Sequence, residues 1–217
     1  MLKLQTKRKA IYHMKQRIRH LIYFILLVGF DQLTKYWVKV TLMQNKPSSI
    51  MIIPKVLKLE YVANEGAVWG LFSGSVEALA LFSVIILAVI TFFYFKIPEG
   101  KRYNALRIII VFIAAGAVGN MIDRIFLKHV VDFIYFYIID FPLFNVADCY
   151  VTVSAFLLVF LALFYYKDKD FEFLEHLFSR KSMDKQEDEN YENKNNMSEN
   201  NKNSKNGADN KNNNNEK

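Results

Sequence analysis

The chain contains a single cysteine, Cys149, among its 217 residues. A disulfide within the chain is therefore impossible, and cysteines cannot supply a metal cluster. The chain also lacks a basic patch interleaved with aromatic residues, which argues against a groove or surface for nucleic acid. We accordingly expect no cofactor and no nucleic-acid partner.

No small-x-small cleavage site follows the first apolar run, although basic residues precede that run. This absence argues against a secretory signal peptide. The run instead continues through Asp31 and Lys35 to Trp37, an aromatic residue of the kind that anchors a helix at the membrane interface. We predict that this segment stays in the protein as its first membrane span.

Apolar residues make up 53% of the chain, and they occur in long blocks without the short period of a soluble helix or strand. A helix needs about 20 mainly apolar residues to cross a hydrocarbon core roughly 30 Å thick. Four stretches meet this requirement, at residues 18–38, 77–95, 105–123 and 146–166. They predict an all-α membrane protein with four transmembrane helices.

Lysine and arginine are unevenly shared among the segments outside these spans. Seven lie in residues 1–19, four in 96–107 and ten in 167–217, against four in 39–76 and two in 123–147. Because segments rich in lysine and arginine stay in the cytoplasm, both termini are predicted to be cytoplasmic. The net charge of +7 then reflects membrane topology and lipid headgroups.

The C-terminal tail differs in composition from the rest of the chain. From about residue 184 it is nearly free of apolar residues and rich in asparagine, so it cannot bury a core and is predicted to be disordered. Residues 167–183 have the pattern of an amphipathic helix at the inner membrane surface. The predicted organisation is a basic N-terminus at 1–17, a transmembrane domain at 18–166 and a cytoplasmic tail at 167–217.

The two connections predicted to lie outside the cytoplasm contain strand-like stretches. Residues 56–62 alternate apolar and charged side chains, and residues 130–139 are rich in β-branched and aromatic residues. These stretches predict a small extracytoplasmic β-sheet. Such a platform would suit a substrate that is held partly in lipid.

Ionisable residues are rare in the predicted spans, and each costs about 2.5–3.5 kcal/mol near the bilayer centre. Asp31 and Lys35 are four residues apart on the first span, so they share a helix face and can pair. A structural ion pair with a snorkelling lysine is the simpler interpretation. Ahead of the second span, Asn64-Glu65-Gly66 taken alone is most simply a turn.

The third span carries Ala115, Gly116, Ala117 and Gly119, which favour close helix packing. At its end, Asn120, Asp123 and Arg124 place an amide, a carboxylate and a guanidinium within about one turn. A surface salt bridge would explain them as well. The fourth span opens with Asn145 and Asp148, which also suit a helix cap and a favourable interaction with the helix dipole.

Topology gives the acids Asp123 and Asp148 a second interpretation. The third helix ends on the side of the membrane where the fourth begins, so antiparallel neighbours could bring the two carboxylates together. Two carboxylates that close cannot both be ionised. The ionised one could activate a water, and the protonated one could stabilise the tetrahedral species formed from a peptide carbonyl.

Four motifs occur in order along the chain: DQLTKYWV (31–38), NEGAVWG (64–70), GAVGNMIDR (116–124) with VVDFI (130–134), and FNVAD (144–148). Together they closely resemble the bacterial lipoprotein signal peptidase family, signal peptidase II, over about residues 15–166. The resemblance implies an aspartic endopeptidase. Its partners would be membrane lipids and diacylglyceryl-modified prolipoproteins, which it would cut before the lipidated cysteine at the outer side of the cytoplasmic membrane.

The resemblance also assigns residues. Asp123 and Asp148 match catalytic positions, and Asp31 and Lys35 match a motif for which we expect structural support. The positions that match substrate-lining residues are Asn64, Gly66, Asn120, Arg124, Asn145 and Ala147. Trp69 replaces the usual phenylalanine of its motif, which leaves the assignment intact but affects fine substrate shape. We expect the enzyme to act as a monomer.

Two other classes of function are compatible with acids in a membrane. An ion or proton transporter would need acids along a route, whereas these gather at one face, and the chain shows no inverted repeat. A non-catalytic scaffold could use the small-residue helix to bind partners. Other intramembrane aspartic proteases would need a Gly-x-Gly-Asp pattern, which the chain lacks.

Overall fold

The computed structural model describes residues 2–43, 48–66 and 76–175. Within these residues, four helices are long and apolar enough to cross a membrane, as predicted. They are α1 (Leu2–Val38), α2 (Val76–Lys96), α3 (Asn104–Leu127) and α4 (Val146–Phe164). The first span continues beyond α1 through a π-helical turn, Lys39–Met43.

Helix α3 extends further than the sequence predicted. Its last three residues follow the charged pair Asp123-Arg124, where the apolar block was taken to end, and the helix stops only at Lys128, whose φ of 64° is left-handed. Asp123 is therefore one turn inside the helix rather than at its tip. This position turns its side chain into the bundle, where it is almost completely buried.

The predicted sheet has three antiparallel strands in the order β1-β2-β3. These are β1 (Ser49–Ile53), β2 (Leu57–Asn64) and β3 (Val130–Phe136). Strand β2 pairs with β3 so that Asn64 lies opposite Val130. A small core of Val38, Leu42, Val131 and Phe133 joins the sheet to the π-helical turn and so fixes β3 against the end of the first span.

Helix α3 packs against each of the other three spans. Its glycines allow the close approach of α4 and α1. A Cβ at Gly116 would lie 2.5 Å from the backbone oxygen of Ala147 on α4, and one at Gly119 would lie 2.5 Å from Asp31 Oδ2 on α1. The small residues therefore form the predicted packing face. They allow polar groups of α1, α3 and α4 to lie close together at the same depth in the bundle.

The chain divides into two compact units, Met1–Tyr165 and Tyr166–Lys217. In the second, the structure describes a 3₁₀ turn, Asp168–Asp170, followed by helical residues 172–175. The rest of the predicted surface helix and the tail from residue 184 lie outside the described residues, as does Trp69.

Candidate active site

A buried lysine occupies the end of the bundle that faces the sheet. Lys35 Nζ lies 3.0 Å from Asp31 Oδ2, 2.9 Å from Asp123 Oδ2 and 2.8 Å from Asn120 Oδ1. An ammonium group has three donors, and these three acceptors use all of them. The predicted pairing of Asp31 with Lys35 is thus confirmed, within a larger cluster.

Asp31 and Asp123 accept further hydrogen bonds besides those from Lys35. Asp31 Oδ1 accepts a hydrogen bond from the backbone N–H of Ala147 at 2.9 Å. Asp123 Oδ2 also accepts from the backbone N–H of Val131 at 3.1 Å, and its Oδ1 accepts from Gln32 Nε2 at 3.1 Å. These contacts tie α1 to α3, α4 and the start of β3.

Helix α4 begins with a capping box. Asn145 Oδ1 accepts from the backbone N–H of Asp148 at 3.1 Å, and Asp148 Oδ2 accepts from the backbone N–H of Asn145 at 3.0 Å, which confirms the predicted cap. Asp148 Oδ1 remains for another donor, Asn120 Nδ2, at 2.7 Å. The capping box therefore fixes the Asp148 carboxylate in one orientation.

Asp132 on β3 is a site residue that the sequence assignment did not include. Its carboxylate accepts from Asn64 Nδ2 and from Asn145 Nδ2, both at 2.8 Å, and its side chain is buried. Burial raises the pKa of Asp132 to about 6, the charge of Asp148 adds to the rise, and the hydrogen bond from Asn64 opposes it. In the sequence, Asp132 is the one acid inside the apolar run VVDFI, which belongs to the motifs of the resemblance but was assigned no site residue.

Two amides connect the acids of the site. Asn145 Nδ2 donates to Asp132 and also to Asn120 Oδ1, at 3.0 Å, while Asn120 Nδ2 donates to Asp148. Asp132 and Asp148 are therefore joined through Asn145. Among the residues that the structure describes, Asp123 is connected to Asp148 by a longer path, through Lys35 and Asn120.

The other predicted site residues surround this network. Asn64 forms a local turn in which its Oδ1 accepts the Gly66 N–H at 3.0 Å, so the simple turn is present and its amide still reaches Asp132. Arg124 lies near enough to Asp148, Asp132 and Asp123 for its charge to act on all three. Asn145 and Ala147 are completely buried.

A cavity of about 190 Å³ opens beside Asp123. Its walls come from α1, the π-helical turn, α3 and β3, and they include Gln32, Lys35, Tyr36, Leu127 and Val131. This cavity gives Asp123 a possible route of access, although its carboxylate already has three partners.

The arrangement has the components of acid–base catalysis on a carbonyl group. Asp132 and Asp148 interact electrostatically and sit in different surroundings: Asp132 is buried and has a raised pKa, whereas Asp148 is only half-buried. Paired carboxylates in unlike environments divide the acid and base roles between them. Asparagine amides hold both without adding a competing base.

Comparison with known proteins points to one family. The family model for signal peptidase (SPase) II matches residues 23–164. Lipoprotein signal peptidases of Staphylococcus aureus, for example from strains JH9 and Newman, are 36% identical over 137 residues, which is 62% of this chain and 82% of the relative.

Two solved structures, both described as bacterial membrane enzymes, have the same fold. One is 34% identical with a TM-score of 0.60 and covers 67% of this chain and 87% of its own. The other is 33% identical with a TM-score of 0.59 and covers 69% and 94%. The match to the family model, residues 23–164, includes the sheet, α2, α3, α4 and the second part of the first span.

Proposed function

Because the chain belongs to the signal peptidase II family, we propose that it removes the signal peptide from diacylglyceryl-modified prolipoproteins. It is a peptidase of lipoprotein processing and a multi-pass protein of the bacterial cytoplasmic membrane. In the proposal, cleavage falls on the N-terminal side of the lipidated cysteine. The site faces the extracytoplasmic side, and both termini are cytoplasmic, as the distribution of lysine and arginine favours.

The proposed catalytic pair is Asp132 and Asp148. The observation that carries it is Asn145, whose side chain contacts both: Nδ2 donates to Asp132 at 2.8 Å and Oδ1 accepts from the Asp148 N–H at 3.1 Å. The pKa of Asp132 is also raised, mainly by burial and further by the charge of Asp148.

The roles of the two acids follow from their hydrogen bonds and burial. Burial raises the pKa of Asp132 to about 6, so Asp132 is the acid of the pair that holds the proton, and Asp148 takes a proton from water as the water attacks the scissile carbonyl. Protonated Asp132 donates a hydrogen bond to the carbonyl oxygen and stabilises the tetrahedral intermediate. As the intermediate collapses, Asp148 returns its proton to the leaving nitrogen.

The sequence prediction paired Asp123 with Asp148, and that pairing remains a second candidate. The cavity beside Asp123 favours it. Against it, both carboxylate oxygens of Asp123 are already occupied, by the buried ammonium of Lys35, the Val131 N–H and the Gln32 amide. We propose that Asp123, with Asp31 and Lys35, holds α3 against α1.

The residues predicted to line the substrate then have different roles. Asn64, at the end of β2, and Arg124 border the acid pair and are proposed to contact substrate, whereas Gly66 is buried and donates its N–H to Asn64. Asn145 and Ala147 are completely buried and their polar groups are occupied. We propose that these two shape the site without touching the substrate.

The experiment uses purified enzyme in detergent and two matched peptides, one carrying diacylglyceryl on the cysteine and one with the free thiol. We expect cleavage of the lipidated peptide before the cysteine and little cleavage of the other, with Asp148→Asn as an inactive control. A wild-type enzyme that cleaves neither peptide but moves protons across liposomes would be a transporter instead. Absence of both activities would favour a scaffold.

A further inference from the structure

The side chain of Asn120 links Lys35 to Asp148 of the proposed catalytic pair. Lys35 Nζ donates to Asn120 Oδ1 at 2.8 Å, and Asn120 Nδ2 donates to Asp148 Oδ1 at 2.7 Å. Both contacts are shorter than a typical neutral N–H···O hydrogen bond, as expected where one partner is charged. The amide of Asn120 therefore lies between a cation and a carboxylate.

The orientation of this amide is fixed by its neighbours. Asn120 Oδ1 faces two donors, Lys35 Nζ and Asn145 Nδ2, while Nδ2 faces an acceptor. A flipped amide would place its N–H groups against both donors and its oxygen against the carboxylate, losing all three hydrogen bonds. Lys35, as the charged donor, contributes the stronger of the two contacts at Oδ1.

We propose that Lys35 is a positioning residue for Asp148: by holding Asn120 Oδ1, it directs the Asn120 amide N–H to Asp148 and keeps Asp148 ionised. This inference rests on the proposed function and adds to it. It gives Lys35 a role in the reaction beyond the structural support expected from the sequence. Lys35 does not touch the reacting atoms, because it acts through Asn120.

The charge state of Asp148 depends on several neighbours, so the test must separate Lys35 from them. Lys35 also bonds Asp31 and Asp123, and its loss would leave these buried acids unpaired. The charged or titratable groups around Asp148 and its direct neighbours come from four elements: Asp31 and Lys35 on α1, Asp123 and Arg124 on α3, Asp132 on β3, and Cys149 on α4 itself.

The readout is the pH dependence of kcat/KM for the lipidated peptide, between about pH 5 and about pH 9. The acid limb of this profile reports ionisation of the catalytic base. We expect Lys35→Met to move the acid limb up by about one pH unit, the size of shift that loss of a favourable partner causes. Asn120→Leu should move it by a similar amount.

The double variant Lys35→Met/Asn120→Leu tests whether the effect passes through Asn120. We expect it to show the same acid limb as Asn120→Leu alone. The charge of Lys35 acts through space on Asp132, but a further upward shift of the acid limb would mean that it also acts through space on Asp148, which would overturn the positioning role.

Gln32→Leu is the matched control, since Gln32 bonds Asp31, Asp123 and the Gly119 backbone and belongs to the same cluster as Lys35. It should lower the melting temperature and leave the acid limb in place. If Lys35→Met gave the same result as this control, its role would be structural only and the proposal would be wrong.

Because Lys35→Met can fail to fold, a second comparison uses the single variant Asp31→Asn and the double variant Asp31→Asn/Lys35→Met. In both, residue 31 is neutral, so the loss of Lys35 no longer leaves an unpaired charge there. The additional loss of Lys35 should again raise the acid limb, and an unchanged limb would refute the proposal. Failure of the proposed function looks different. In that case the wild type cleaves no lipidated peptide, or Asp132→Asn keeps wild-type activity.

Discussion

Lys35 and Asp123 form an ion pair in which Nζ lies 2.9 Å from Oδ2, with side-chain exposures of only 3% and 2%. Two charges so far from water are costly to separate, because removing one leaves the other unpaired in a medium of low dielectric constant. The pair joins α1 to α3 just below the sheet. We therefore propose that it is a structural contact, next to which the proposed catalytic pair is assembled.

Asp123→Asn should destabilise the protein by on the order of 3 kcal/mol, since it breaks one contact of this buried ion-pair cluster. Thermal unfolding of the purified variant in detergent measures the loss. Activity per folded molecule should stay above that of Asp132→Asn. An unchanged melting temperature combined with complete loss of activity would instead support Asp123 as a catalytic residue.

The glycines of α3 give a prediction about packing. Gly116→Ala and Gly119→Ala should each destabilise the protein by about 1–3 kcal/mol, because the new Cβ would lie 2.5 Å from Ala147 O or from Asp31 Oδ2. Gly29→Ala is the matched control within a span: a Cβ there meets nothing within 4 Å, and alanine favours a helix by about 1 kcal/mol over glycine. Equal melting temperatures for all three variants would contradict the close packing of α3.

The raised pKa of Asp132 predicts how stability varies with pH. The pKa of Asp132 is about 6 in the folded protein, above that of an ordinary aspartate, so the folded state binds the proton more tightly. Its contribution is therefore fully present below about pH 4 and is lost as the pH rises through about 6, an effect on the order of 3 kcal/mol. Asp132→Asn should remove this part of the pH dependence.

Thermal unfolding of the wild type and Asp132→Asn, measured from about pH 4 to about pH 7.5, tests this prediction. The melting temperature of the wild type should fall relative to that of the variant as the pH rises. Parallel curves would mean that Asp132 titrates normally in the folded state.

Hydrophobicity alone located the four spans to within a few residues, apart from the N-terminal extension of α1 and the longer α3. Apolar blocks are a strong signal because the bilayer sets their length. Strand β1 was not predicted, since SIMII is only five residues long and its strand conformation depends on pairing with β2. The extension of α3 was missed because a charged pair was taken as the end of an apolar block.

The candidate site was predicted less completely than the spans. Motifs identified Asp148, Asn120 and Asn145, which lie close to one another along two helices. Asp132 lay in the motif VVDFI and in a predicted strand but was assigned no role, because nothing local shows that Asn64 and Asn145 converge on it from 68 and 13 residues away. Tertiary contacts decide which acid pairs with Asp148, and such contacts cannot be read from the positions of the residues along the chain.

The central claim is that Asp132 and Asp148 together activate the water. The most direct measurement is the cleavage rate of the lipidated peptide by wild type, Asp132→Asn and Asp148→Asn, each checked for folding by its melting curve. We expect both variants to fold and each to lose activity by about a thousandfold or more. A folded Asp132→Asn variant that cleaves at the wild-type rate would contradict the account.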